Sequence, residues 1–249
     1  MPPRPFRQWR KQIQRAVLRR TGFEIHKTRP GEAYVQNLPY GFSTYCPWFE
    51  QSFQELYAAI ASHTSLKEDR AYLLRQLARH AAHFAGEFAE CGVYKGGSAF
   101  LLARTLEENG ERKELHLFDT FHGMPAQADG DPSSHRAGDF GDVSLEGVAS
   151  YLRQFSFVAL HPGLIPDTFR AVEERRFAFV HIDVDLYAPA RDCCQFFYER
   201  MTPGGLMLFD DYGRPDYELS ERRAVDEFFE KRPESPIVLR SGQCLVVKL

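Results

Sequence analysis

The chain has 249 residues, 43% of them hydrophobic and 26% charged, with a formal net charge of −3. That balance belongs to a folded globular chain and excludes collagen-like, coiled-coil and disordered classes. It also gives no case for a nucleic-acid binder that works through bulk positive charge.

The average hides an asymmetry at the N-terminus. Residues 1–30 hold nine basic side chains and one acid, a balance of +8 that leaves −11 for the remainder. Phe6, Trp9, Ile13, Ala16 and Val17 recur three or four apart, which predicts a helix over 5–19 with basic flanks, closed by Arg20-Thr-Gly-Phe23. A basic amphipathic segment suits an anionic membrane face, an acidic partner or a second copy of the chain; a solvated face is the plain alternative. Residues 29–50, rich in Pro, Gly and aromatics, predict an ordered loop. Helices are expected over 49–61 and from a Thr64–Ser65 cap to about 83.

From 87 onward the texture changes. Strands are expected over 87–91, 115–119, 157–161, 177–183 and 205–210. Helices are expected over 98–109, 143–155 (with Ser144 as cap), 165–175, 189–200 and 221–230. An antiparallel pair over 237–240 and 243–248 turns at Ser241–Gly242. Residues 120–141 form a long loop of Gly, Pro, Asp and Ser, expected to cover a site and to be mobile without ligand. Alternating strands and helices predict an α/β fold with a doubly wound, mostly parallel sheet. The division expected is a basic helical extension over 1–64 and a catalytic domain over 65–249.

Cys46, Cys91, Cys193, Cys194 and Cys244 form no CxxC or Cys/His cluster, so free thiols in a reducing compartment are expected. No stretch approaches ~18 consecutive apolar residues. Residues 1–30 lack the apolar core of a signal peptide, so a cytoplasmic protein is expected.

Four motifs carry chemistry. Glu90-Cys-Gly-Val-Tyr-Lys-Gly-Gly-Ser98 joins a strand to a helix, where glycines admit a ligand close to the backbone. It is not the dinucleotide GxGxxG, which disfavours a nicotinamide dehydrogenase. Asp119 ends the next strand, placed for ribose hydroxyls, with a turn cap as the alternative. In His181-Ile-Asp-Val-Asp-Leu-Tyr187, period-two alternation puts Asp183 and Asp185 on one side if the strand continues that far. Pro203-Gly-Gly-Leu-Met-Leu-Phe-Asp-Asp-Tyr-Gly213 ends a strand in Asp210 and Asp211. Ligands of open parallel sheets bind at the carboxyl ends of strands, so these acids converge on one rim. Clustered carboxylates repel unless a cation neutralises them, and oxygen-only ligands suit Mg²⁺, Ca²⁺ or Mn²⁺. Capping of loops and pairing with arginine suits Asp192 and Asp216 better. His161 is read as structural and His181 as a packed neighbour of the acids, with His122 and His135 within reach of a substrate. Cys193–Cys194 is read as core, and Tyr187 and Tyr212 as pocket lining or packing.

Taken in order over about 85–230, these motifs, with Phe118-Asp-Thr-Phe-His-Gly-Met-Pro125 and His161-Pro-Gly, resemble the class I S-adenosylmethionine-dependent methyltransferases. More narrowly, they are similar to the TylF/MycF-type (macrocin) O-methyltransferase family, which acts on sugar hydroxyls in bacterial natural products. The resemblance implies a seven-stranded Rossmann-like sheet with a terminal antiparallel hairpin. It implies S-adenosylmethionine held by Glu90, Gly92, Tyr94, Gly96, Ser98, Asp119, Thr120 and Asp183, and Mg²⁺ (or Mn²⁺) held by Asp183, Asp210 and Asp211. By the same carry-over Asp185 is the general base. A more distant similarity is to catechol-type methyltransferases, but their lysine three residues after the first metal acid is Leu186 here. The activity implied is Mg²⁺-dependent transfer of a methyl group to a hydroxyl of a sugar or glycosylated natural product. A phenolic or catechol-like acceptor, a cell-surface polysaccharide and a non-catalytic S-adenosylmethionine-binding protein are the alternatives. The partners expected are a small-molecule or glycan acceptor and no nucleic acid, with peripheral membrane contact and a homo-oligomer as candidates.

Overall fold

A computed structural model describes residues 43–111 and 113–249, the strands at 25–27 and 34–38, and Ile13. The expected basic helix over 5–19 lies, but for Ile13, outside the described residues. The chain divides into two compact units at 59/60, against the division expected at 64/65.

In the first unit, β1 (Ile25–Lys27), β2 (Tyr34–Leu38) and β3 (Ser43–Tyr45) form an antiparallel sheet. The expectation of a loop over 29–50 is therefore corrected: that stretch holds β2, β3 and a 3-10 turn at Pro47–Phe49. Strands of three to five residues are too short to show a clear alternation among Pro and Gly. Helix α1 spans Gln51–Ile60, inside its expected bounds.

The second unit is built on seven strands. They are β4 (Glu87–Cys91), β5 (Leu115–Asp119), β6 (Val158–Pro162), β7 (Phe177–Ile182), β8 (Met201–Phe209), β9 (Ile237–Val238) and β10 (Cys244–Val247). Their order is β6-β5-β4-β7-β8-β10-β9, with β10 antiparallel to β8 and to β9. The other five strands run parallel. Helices α2 (Glu68–Ala81), α3 (Gly97–Glu108), α4 (Leu145–Leu152), α5 (Tyr187–Tyr198) and α6 (Glu221–Phe229) complete a doubly wound α/β fold. Among the described residues no helix is long and apolar enough to cross a membrane.

Every residue of β7 is buried, as its unbroken apolar run requires of a central parallel strand. Phe177 packs edge-on against Phe197 at 5.0 Å between ring centroids, and Phe197 against Phe169 at 5.1 Å. Cys193 and Cys194 are fully buried in this core, as expected.

Three local expectations need correction. Helix α2 opens at Glu68 rather than at a Thr64–Ser65 cap, because the Thr64 hydroxyl accepts the Leu66 N–H (3.1 Å) in a turn of its own. Glu68 and Asp69 then place negative charge in the first helical turn. The helix expected over 165–175 is a 3-10 segment, Asp167–Val172, whose buried Phe169 and Val172 lie three apart, the 3-10 period. Helix α4 is shorter than 143–155, although Ser144 does cap it by accepting the Gly147 N–H at 3.1 Å.

On β6, His161 stacks on Phe118 (4.6 Å), and its Nε2 lies 3.0 Å from Nδ1 of His116. Burial, then the charge of His116, lowers His161 from 6.5 to about 4. A histidine kept neutral by the fold gains a proton on unfolding, so it costs stability as pH falls from 6.5 towards 4. Replacing His161 with Gln is expected to shrink the stability lost between pH 7 and pH 4.5 in urea titrations; an unchanged loss would count against this assignment.

Candidate active site

The sheet register builds the site. Cys91 lies opposite Phe118 and Ile182, and Ile182 opposite Phe209. One residue further along each strand, Gly92, Asp119, Asp183 and Asp210 therefore form a row at the carboxyl ends. The chain order reverses between β4 and β7, the position where open α/β sheets bind ligands. Gly92, at φ +85°, passes so close to β7 that a Cβ there would stand 1.8 Å from the Asp183 carbonyl oxygen.

Asp119 shapes the glycine turn. Its Oδ2 accepts the N–H groups of Val93 (2.7 Å) and Tyr94 (2.9 Å), and its Oδ1 accepts that of Phe121 (2.8 Å). The Thr120 hydroxyl also lies 3.4 Å from Oδ1, so most of a carboxylate's roughly four acceptor positions are taken within the chain. The turn-cap alternative thus describes most of what Asp119 does within the chain.

A cavity of about 380 Å³ opens above this row. Of the expected site residues, Gly92, Tyr94, Ser98, Asp119, Thr120, Asp183, Asp185, Asp210 and Asp211 line it. Glu90 and Gly96 do not. Glu90 is fully buried two residues below the row, and its Oε1 accepts from His181 Nδ1 at 2.8 Å, since the register sets the two side by side. Gly96, at φ +85°, is the N-cap of α3 and faces Val148. His135 lines the cavity and His122 does not. Tyr187 and Tyr212 lie outside it, their hydroxyls donating to Glu227 (2.6 Å) and Asp226 (2.7 Å).

Asp183, Asp210 and Asp211 offer carboxylate oxygens that all lie within 4.8 Å of one another. Their surroundings hold two arginines the motif reading missed. Arg70 of α2 places Nη1 2.5 Å from Asp210 Oδ2 and 3.1 Å from Asp211 Oδ1, and Arg214 Nε lies 3.1 Å from Asp211 Oδ1. Burial opposes charge on His181, but the hydrogen bonds and charges of Asp210 and Glu90 outweigh it and raise the imidazole to about 10. Burial likewise pushes Asp210 up, yet His181 and Arg70 hold it below its ordinary value. Asp183 has less relief: no side chain among the described residues donates to its carboxylate, and only the charge of His181 opposes its rise. Burial, with Asp210 and Asp211 beside it, drives its pKa well above the usual range. Six carboxylates (Glu90, Asp183, Asp185, Asp210, Asp211, Glu221) thus meet three cations (Arg70, Arg214, His181). An oxygen cluster with that excess of negative charge fits a hard divalent cation.

Asp185 departs from the expected geometry. The strand ends at Ile182, and Asp185 takes φ +62°, so no alternation relates it to Asp183. Its Oδ1 accepts the Tyr217 hydroxyl at 2.8 Å. Burial, then the charge of Asp211, raises it to about 7.

The loop after β5 covers the cavity, as expected, through residues such as Met124, His135 and Phe140. Asp131 Oδ1 accepts the Tyr187 N–H (2.8 Å), while Asp142 takes bonds from the Tyr94 hydroxyl (2.9 Å) and from Lys95.

The sequence pattern of the family described as macrocin-O-methyltransferase (TylF) matches residues 59–237, most of the chain. The chain belongs to that family. Among its TylF-like relatives is a tetracenomycin-C derivative 4'-O-methyltransferase of Streptomyces olivaceus, 28% identical over 138 residues, 51% of this chain and 53% of that protein. Another is the mycinamicin III 3''-O-methyltransferase of Micromonospora griseorubida, 28% identical over 157 residues, 57% of this chain and 60% of that protein. The chain thus spans little more than half the length of these curated relatives. The solved structure of the O-methyltransferase NovP superposes with a TM-score of 0.66 at 25% identity, covering 75% of this chain and 82% of that one. TylF membership accounts for the ordered motifs and for the Rossmann-like sheet.

Proposed function

We propose that this chain is a Mg²⁺-dependent (or Mn²⁺-dependent) O-methyltransferase. It moves the methyl group of S-adenosylmethionine to a hydroxyl of a sugar or glycosylated small molecule. The observation that carries the reading is the meeting, in one cavity of a TylF-family chain, of the Asp183–Asp210–Asp211 cluster with a lone carboxylate, Asp185. The tetracenomycin relative is named for O-methylation of a rhamnosyl-bearing compound, which supports the acceptor class. A cytoplasmic setting belongs to the same reading, and the five cysteines are free thiols.

Each residue has a physical task. The turn of Gly92 and Tyr94, with Ser98, Asp119 and Thr120, would hold S-adenosylmethionine, whose sulfonium supplies the electrophilic methyl. Asp183, Asp210 and Asp211 would hold the cation, which supplies positive charge that makes an acceptor hydroxyl more acidic. Asp185 takes the hydroxyl proton as oxygen attacks carbon in line. Arg70 and Arg214 hold Asp210 and Asp211 in place before any ligand arrives, and Arg70 helps keep Asp210 charged. The covering loop excludes water and supplies the proximity that a bimolecular displacement needs.

The test is mass spectrometry of a rhamnoside incubated with S-adenosylmethionine, with added Mg²⁺ and with EDTA, beside a catechol control. Methylated rhamnoside that disappears in EDTA and returns with excess Mg²⁺ is expected. Equal product in EDTA would overturn the cation, and product from catechol alone would overturn the acceptor class.

A further inference from the structure

The motif reading singled out Asp185 but gave no account of what aims it. The residue sits three positions past a strand end, at φ +62°, a conformation that L side chains rarely adopt. Neither strand alternation nor helical packing fixes the carboxylate's direction there, so its tertiary contacts must.

Those contacts form a short chain. Tyr217 closes the 3-10 turn Pro215–Tyr217, is only 2% exposed, and donates its hydroxyl to Asp185 Oδ1 at 2.8 Å. His135 of the covering loop sets Nε2 2.5 Å from the same hydroxyl, and 3.6 Å from Asp185 Oδ1. A tyrosine hydroxyl has one proton, and an ionised carboxylate only accepts. When Asp185 is ionised, the form in which it serves as a base, the Tyr217 proton goes to Asp185, and His135 then carries a proton on Nε2 and donates it to the Tyr217 oxygen. This places a proton on Nε2, and it also means that His135 Nε2 is engaged and not offered to another acceptor. His135 arrives only with its loop, which is seated through Asp131 on the Tyr187 N–H and through Asp142 on Tyr94.

We infer that Tyr217 and His135 are positioning residues for Asp185, so that seating the 120–144 loop aims the carboxylate into the cavity. The inference rests on the reading of Asp185 as the base. It makes loop closure and completion of the catalytic geometry one event: with the loop open, Tyr217 loses the hydrogen bond that orients its hydroxyl, and Asp185 loses a fixed direction.

The test compares the full chain with Tyr217→Phe, His135→Leu, His135→Gln and Asp185→Asn. Calorimetry measures S-adenosylhomocysteine affinity, methylation of a rhamnoside gives turnover, and crystal structures with S-adenosylhomocysteine show the Asp185 carboxylate. Tyr217→Phe and His135→Leu are expected to cut turnover roughly 10–100-fold, the usual effect of losing an orienting partner, with nucleoside affinity within about twofold. His135→Gln keeps an N–H donor on a side chain of similar reach and is expected to recover most of the activity. The carboxylate is expected to turn away from its present direction in Tyr217→Phe. Tyr217→Phe and His135→Leu at wild-type turnover, with Asp185→Asn inactive, would overturn the positioning role alone, as would an unmoved carboxylate. An active Asp185→Asn would overturn the base and with it this inference. If Tyr217→Phe does not fold, the His135 pair decides: Leu and Gln alike in turnover would overturn it.

Discussion

Asp185→Asn is expected to lower turnover by roughly 10²–10⁴-fold, the range for losing general-base catalysis, while S-adenosylhomocysteine binds as before. The substitution keeps the shape of the side chain, and its amide oxygen can still accept from Tyr217. It removes the ability to take a proton. Burial and Asp211 raise this carboxyl to about 7, close to working pH, where a base exchanges protons most effectively. The sign of the pH effect follows. Activity should rise as pH passes upward through the Asp185 value and level off above it. A cation at the neighbouring acids draws that value downward, so the limb should lie at or below about 7. The Asn variant should lack the limb. Rates measured from pH 5 to 9 by product mass spectrometry decide the matter; near-normal turnover in the variant would sink the assignment.

The second large effect is on stability. Arg70 is 8% exposed, and its guanidinium bridges Asp210 and Asp211 while Nε donates to the Ser241 carbonyl at 3.2 Å. Arg70→Met keeps much of the stem and deletes the charge, leaving two buried carboxylates short of a partner. Breaking a buried ion pair from one side costs about 3–5 kcal/mol. In EDTA, urea unfolding should show a loss of that size. In millimolar Mg²⁺ the loss should be smaller, because a bound cation restores positive charge to the same carboxylates. By linkage, the variant should then bind Mn²⁺ more tightly than the natural chain, a like charge having been removed. Equal losses with and without Mg²⁺ would argue against a cation at Asp183, Asp210 and Asp211.

Much of the second unit is legible in the sequence, for identifiable reasons. Strands β4 and β5 coincide with their expected limits because short apolar runs end at Gly92 and at the polar loop after Asp119. β7 shows as a continuous run because both faces are buried. The acids at strand ends could be assigned to one rim because parallel topology puts all carboxyl ends on the same side. Less was legible where a local signal was short or shared. The 3-10 segment Asp167–Val172 carries apolar spacing that a helix would also show. The strands of the first unit are too brief to alternate visibly.

Side-chain partnerships across long stretches of sequence left no local trace. Arg70 looks like one more charge on an amphipathic helix, 140 residues before Asp210. A hint was available in the charge balance: buried acids need cations, and an arginine on a helix packed against the sheet is a natural source. Tyr217 and His135 carried no comparable signal, since neither belongs to a motif that names Asp185.

By itself the sequence determined the parallel sheet, the glycine turn and the set of acids on one rim, because hydrophobic periodicity and glycine punctuation act within a few residues. Only the tertiary structure decided what those acids face: arginines from distant segments, a histidine one strand away and a tyrosine that meets a loop histidine. Those pairings arise from the register of strands and the seating of loops, which depend on contacts between distant segments that no local pattern encodes. The positive φ of Asp185 belongs to the same class, since an L residue adopts it only where the surrounding structure holds it there.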